Sequence, residues 1–201
     1  MKADFEQLVQ EVQRRLFVEI EASGRHVHVT KEDAMKLFGH DLTEDRPLSQ
    51  PGQYLAKERV TVQGPKGSLK NVAVLGPCRP ESQVELSVTD GRIVGIKPPV
   101  RLSGRIDHTP GATLIGPQGT VSLPAGVIAA QRHIHMTPED AKLQGVSDGE
   151  TVRLKTMTER PVVFEDVVVR VRKDFATYVH LDYDEANACG FRNGDMGMIL
   201  R

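Results

Sequence analysis

The chain has 201 residues, and 26 Lys+Arg against 27 Asp+Glu leave a formal charge of −1, without the basic excess that a polyanion binder usually carries. With 39% hydrophobic and 26% charged residues it is neither disordered nor fibrous, and it falls short of the ~250 residues of a typical TIM barrel. No apolar stretch approaches the ~20 residues needed to span a bilayer.

The first residues, MKADFEQLVQEVQRRL, lack the apolar run and small-residue cleavage site of a secretory signal, and Cys78 and Cys189 lie far apart. A reducing, cytoplasmic setting is expected. Phe5, Leu8, Val9, Val12 and Leu16 recur at spacings of three and four, with Asp4 and Glu6 early and Arg14 and Arg15 late. This predicts an amphipathic helix over 1–16 with charges that suit its dipole. From Phe17 onward short β-branched runs alternate with turn signals: VTVQG near Val60, NVAVLG near Val72, VELSVTDGRIVGI near Val84, TVRLKT near Val152 and VVFEDVVVRVR near Val163. Asp90-Gly91 and Asp148-Gly149 read as turns that join or precede strands. The expected fold is mainly β, of barrel or sandwich type.

The most informative feature is an internal repeat. Residues 25–34 read RHVHVTKEDA and residues 132–141 read RHIHMTPEDA, and Lys-Leu-x-Gly follows in both copies. Two related halves are implied. In an extended segment residues i and i+2 share a face, so His26 pairs with His28 and His133 with His135 as two-ligand claws. Thr30 and Thr137 stand where a helix N-cap belongs, Asp33 and Asp140 follow three residues later, and Pro138 occupies a favoured first helical position. Each copy therefore reads as strand, cap and short helix.

Imidazole is the commonest metal ligand, and four of the seven histidines fall in this repeat. Zinc is the leading candidate, although nitrogen donors also suit nickel, iron and cobalt. His180, on a strand pattern before an acidic helix start, is the next candidate ligand. His40 and His108 stand in turn contexts and read as solvated. Glu85 alternates with Val84 and Leu86, which leaves both an outward and a metal-facing position open. Arg79 lies between a Gly-Pro turn and Pro80, a rigid setting suited to recognising phosphate or carboxylate. Cys78 beside it reads as a small half-buried residue ahead of a nucleophile.

The R-H-x-H frame, QPGQY at 50–54, GPKG at 64–67, GPxRxxSQVExS across 76–87, GVIAAQRHIHMTPEDA across 126–141 and HLDYDEANA across 180–188 together resemble the PduL-type phosphotransacylases, or phosphate propanoyltransferases, from about Ile20 to near the C-terminus. The resemblance implies two small β-barrels capped by short helices. One is built from 17–24 and 131–201 and the other from 25–130, with the N-terminal helix preceding them. It implies interconversion of an acyl-coenzyme A (propanoyl-CoA or acetyl-CoA) plus phosphate with an acyl phosphate plus coenzyme A, often inside bacterial microcompartments that degrade propanediol.

Carried over by position, His26, His28 and Glu85 match the ligands of one zinc, and His133, His135 and His180 those of a second. Arg79 matches the arginine at the phosphate position, and Ser103 in RLSG a serine near it. The implied mechanism is direct attack by phosphate in a ternary complex, with Arg79 fixing the phosphate and the first zinc near the sulfur. Implied partners are coenzyme A, acyl-CoA, phosphate, a second copy in a homodimer and microcompartment shell proteins, with no nucleic acid and no membrane. The N-terminal helix is expected to pack on a barrel, ahead of a role in encapsulation. A zinc-dependent thioester hydrolase and a non-catalytic metal-binding module are the alternatives.

Overall fold

The computed structural model describes residues 2–200, with side chains from residue 5. In chain order the elements are α1 (Lys2–Leu16), β1 (Val18–Ser23), β2 (His26–His28), α2 (Lys31–Phe38), β3 (Glu44–Pro47), β4 (Tyr54–Gln63), β5 (Ser68–Gly76) and β6 (Gln83–Glu85). Then follow α3 (Val88–Val94), β7 (Val100–Arg101), β8 (Ala112–Ile115), β9 (Thr120–Leu123), β10 (Val127–Ala130), β11 (His133–Met136) and α4 (Pro138–Gln144). The chain closes with β12 (Thr151–Met157), β13 (Val163–Val171), β14 (Tyr178–Asp182), α5 (Tyr183–Cys189) and β15 (Met196–Leu200).

Two compact units result. One comprises 1–23, 132–181 and 185–201, and the other 24–131 with 182–184. In the first, six strands close into a barrel in the order β1-β14-β11-β13-β12-β15. Its interior is filled by Val18, Ile20, Ile134, Met136, Leu154, Val167, Val169, Val179 and Leu181. In the second, a nine-stranded sheet runs β7-β10-β6-β2-β5-β4-β8-β9, with β3 on β4, around Val27, Val29, Leu37, Val62, Val74, Val84 and Leu114. The mainly β fold expected from the sequence is thus present, as one closed barrel and one half-barrel sheet.

The repeat is a structural repeat. In each copy the histidine strand pairs parallel with one neighbour and antiparallel with the other: β2 with β5 and β6, β11 with β13 and β14. The helix that follows is capped as the sequence predicts. Thr30 Oγ1 accepts from the Asp33 amide at 3.0 Å, and Thr137 Oγ1 from the Asp140 amide at 3.1 Å. Gly39 and Gly145 end the helices in the left-handed conformation that lacks a Cβ penalty.

A hydroxyl then ties each cap to its helix. Ser82 Oγ accepts from the Thr30 amide and donates to Asp33 Oδ2 at 2.5 Å. Thr177 Oγ1 accepts from the Thr137 amide and donates to Asp140 Oδ2 at 2.5 Å. These bonds fix where each histidine strand stops.

Two expectations need correction. VELSVTDGRIVGI is not strand around a turn, because α3 occupies its second half and takes in Asp90 and Gly91. Ser87 caps that helix by accepting from the Asp90 amide, so a capping residue overrides the turn dipeptide. Gly91 is required for packing, since a Cβ there would lie 2.5 Å from Pro98 Cδ.

The apolar stripe of α1 is not packed on the barrel. Phe5 is 66% exposed and Leu8 57%, and Val9, Val12 and Leu16 are exposed as well. The helix is held instead by polar contacts at its C-terminal end. Arg14 donates to Asp140 Oδ1 from Nη2 at 2.6 Å and from Nε at 3.0 Å, and Gln144 Nε2 donates to the Arg14 and Phe17 carbonyls.

Burial works against the Asp140 charge, but the hydrogen bonds from Thr177, Arg14 and Thr137 outweigh it and keep its pKa below the ordinary value. A depressed folded-state pKa contributes stability above the unfolded value of about 3.9, and this is lost as pH falls through the folded value. Asp140→Asn is therefore expected to cost roughly 1.5–3 kcal/mol at pH 7, with the gap to wild type narrowing below about pH 4. Urea denaturation across that range measures it.

Candidate metal and anion site

The antiparallel pair β2/β6 sets His26 opposite Glu85 and His28 opposite Gln83. Glu85 thus faces inward with the two histidines, which decides the position that alternation alone left open. One ligand atom from each of His26, His28 and Glu85 lies within 4.8 Å of the others. His26 Nε2 is 3.6 Å from Glu85 Oε2, and His28 Nε2 is 3.7 Å from Glu85 Oε1. The rings of His26 and His28 meet edge to face at 4.9 Å. His26 Nδ1 bonds the Gly24 carbonyl at 2.8 Å. An acceptor there favours the proton on Nδ1 and turns Nε2 toward Glu85, where a bound cation would take the place of any proton that nitrogen carries.

Burial opposes ionisation of Glu85, yet the charges of His26 and His28, with hydrogen bonds from His26 and Ser103, hold its carboxyl well below the usual carboxylate range. His28 is pushed well below the ordinary imidazole value by burial, with His26 and Arg79 adding to the effect. Burial works against a charge on His26, but the charge of Glu85 and a hydrogen bond to it outweigh that and raise its pKa above the ordinary imidazole value, so a cation entering here would displace a proton from His26 and find His28 neutral and Glu85 anionic.

The second cluster repeats the geometry with a different third ligand. His133 stands opposite His180 across β11/β14, and His133, His135 and His180 again bring one ligand atom each within 4.8 Å of the others. Their ring centroids are 4.6–5.0 Å apart. Both ring nitrogens of His135 are buried without a hydrogen-bond partner. Buried polar atoms are rarely left so, and a metal ion is the natural partner for such a nitrogen.

Burial, the neighbouring His133 and His180, and the cations Arg170 and Arg172 push His135 down to about 2, so it is a neutral donor at any working pH. Its ring stacks on Phe175 at 4.0 Å, and Arg172 and Arg170 sit 5.1 and 5.8 Å from the Phe175 centroid. His180 Nδ1 lies 3.5 Å from Glu21 Oε2. Among the described residues these are the two groups of three that could hold a metal ion.

Arg79 and Ser103 meet beside the first cluster. Arg79 Nη1 donates to Ser103 Oγ at 2.9 Å, and Ser103 Oγ donates to Glu85 Oε1 at 2.8 Å. A cation, a hydroxyl and the candidate metal ligand Glu85 thus form one connected group. Burial, with Asp41 nearby, pushes the Cys78 thiol up, and its side chain packs against the unit's apolar core, which suits a packing residue and not a thiolate nucleophile. His40 and His108 are exposed, in keeping with their turn contexts. Residue-level reading missed Gln83, Gly24, Glu21 and Phe175. Gln83 had a signal, since it lies two residues before Glu85 and therefore shares its face.

The family model for phosphate propanoyltransferase matches residues 19–192. The chain is 52% identical over 198 residues to the phosphate propanoyltransferase of Clostridioides difficile, covering 98% of this chain and 95% of the relative. It is 54% identical over 200 residues to that of Listeria monocytogenes, covering 96% and 94%. It is 50% identical over 181 residues to that of Thermotoga maritima, covering 89% and 86%. A mainly β chain with paired histidine clusters and an arginine-serine group is thus an acyltransferase. It belongs to the phosphate propanoyltransferase family.

Proposed function

We propose that the chain is a zinc-dependent phosphotransacylase that interconverts propanoyl-CoA or acetyl-CoA plus phosphate with the acyl phosphate plus coenzyme A. The observation that carries this reading is the joining of Arg79 through Ser103 to Glu85, because a hydrolase or a metal store has no need of an anion clamp tied to a metal ligand. The relatives' name favours the propanoyl substrate.

His26, His28 and Glu85 would hold one zinc, and His133, His135 and His180 a second. A bound zinc supplies Lewis acidity to a carbonyl oxygen and a counter-charge for a departing thiolate. Arg79, with a rigid fork of donors, and Ser103 orient the phosphate. A phosphate oxygen then attacks the thioester carbon, the C–O bond forms, the C–S bond breaks, and coenzyme A leaves as the thiolate and takes up a proton. Offsetting the phosphate charge at Arg79 permits its approach to a substrate whose coenzyme A moiety is itself anionic, and holding it there converts an encounter into a positioned attack on the electrophilic carbonyl carbon. Cys78 takes no part.

The test is thiol release from propanoyl-CoA, with and without phosphate and before and after chelation. Release is expected to require both. Release without phosphate would make the chain a thioesterase, and zinc binding without release a metal-binding module. Arg79→Ala is expected to lower kcat/KM by roughly 10²–10³, while Cys78→Ala retains activity.

The chain is further read as a homodimer that works inside a bacterial microcompartment, with the exposed stripe of α1 as the face offered to shell proteins. No helix among the described residues is long and apolar enough to cross a membrane. Leu8→Glu is expected to abolish co-sedimentation with assembled shells and to leave phosphate-dependent thiol release unchanged. Retained co-sedimentation would remove the shell role from this stripe.

A further inference from the structure

The inward face of β2 and β6 carries four polar side chains, of which the proposed zinc uses three. The fourth, Gln83, is 2% exposed. A primary amide buried so deeply is costly unless its hydrogen-bonding groups are met, and here they are. Gln83 Nε2 donates to Glu85 Oε1 at 2.6 Å and to Ser103 Oγ at 3.0 Å, and Gln83 Oε1 accepts from the Gly104 amide at 2.7 Å. The partners fix the amide's orientation, because a carboxylate requires a donor and a backbone N–H an acceptor; the flipped amide would break both.

Glu85 Oε1 thus accepts from both Gln83 and Ser103. Ser103 Oγ in turn accepts from Arg79 and from Gln83. The amide spans the network, since one end holds the carboxylate and the other holds the turn that carries Ser103. In the other half of the repeat the same register position, opposite His135, is Tyr178. The strand pairing itself therefore does not demand an amide. Gln83 belongs to the half that contains Arg79.

We infer that Gln83 is a positioning residue that joins Glu85 to the Ser103–Gly104 turn, so that zinc affinity at His26, His28 and Glu85 and phosphate affinity at Arg79 and Ser103 are set together. This rests on the phosphotransacylase reading and assigns it a further residue. Without the amide, Glu85 Oε1 keeps one of its two donors, Ser103, and the turn loses its tether through Gly104.

The test uses Gln83→Met, which keeps length and shape but makes none of these bonds, after circular dichroism has confirmed its fold. Zinc is titrated into wild type and variant against a chromogenic chelator, and steady-state rates are measured with phosphate and acyl-CoA varied separately. One of two zinc sites is expected to weaken by roughly 10–100-fold while the other is unchanged. The KM for phosphate is expected to rise about tenfold or more, with the KM for acyl-CoA unchanged.

Should Gln83→Met fail to fold, Ser103→Ala severs the network from its other end, and weakening of the same single zinc site is expected. A folded variant with both zinc affinities and the phosphate KM unchanged would overturn the inference and leave the phosphotransacylase reading standing. A wild-type chain that binds no zinc would overturn both.

Discussion

Each cluster depends on one backbone constraint: the antiparallel register that sets His26 opposite Glu85 in one unit and His133 opposite His180 in the other. Directly opposed residues have Cβ atoms about 4.5–5.5 Å apart, and residues i and i+2 share a face. A His-x-His strand beside a third ligand in that register therefore brings three donors together through main-chain hydrogen bonds alone. The caps at Thr30 and Thr137, with the hydroxyls of Ser82 and Thr177, stop each strand at a fixed residue. A slip of one residue would turn the histidines into the apolar core and Val27 or Ile134 outward.

The two clusters share this frame but differ in charge. His26, His28 and Glu85 supply one anionic ligand, which cancels part of a divalent ion's charge, whereas three imidazoles leave that charge whole. Their surroundings differ accordingly. Glu85 is embedded in donors from Gln83 and Ser103, and Ser103 is in turn held by Arg79. His135 is packed against Phe175, with two arginines at that ring, and makes no hydrogen bond at either nitrogen.

Much of this was legible in the sequence because the repeat recorded strand, cap and helix twice. The four repeat histidines, His180 and Arg79 stood out on residue type and setting, and the helices begin at the caps foreseen. Glu85 could not be placed from alternation, because β2, β6 and β11 are buried on both faces and polar side chains there do not mark the solvent side. Ser103 was reached only through family resemblance, since its partners lie about twenty residues away in sequence. The Asp90-Gly91 turn failed because Ser87 supplies a stronger helix start. The exposure of α1 was hidden for a different reason: an amphipathic pattern states that a face seeks a partner, but not whether the chain itself provides one.

The central claim is that each half of the repeat holds its own metal ion. Native mass spectrometry of the zinc-loaded chain, counted per polypeptide beside His26→Ala and His133→Ala, tests it most directly. Two ions in wild type and one in each variant are predicted. A single ion in wild type, or two ions retained in either variant, would contradict it.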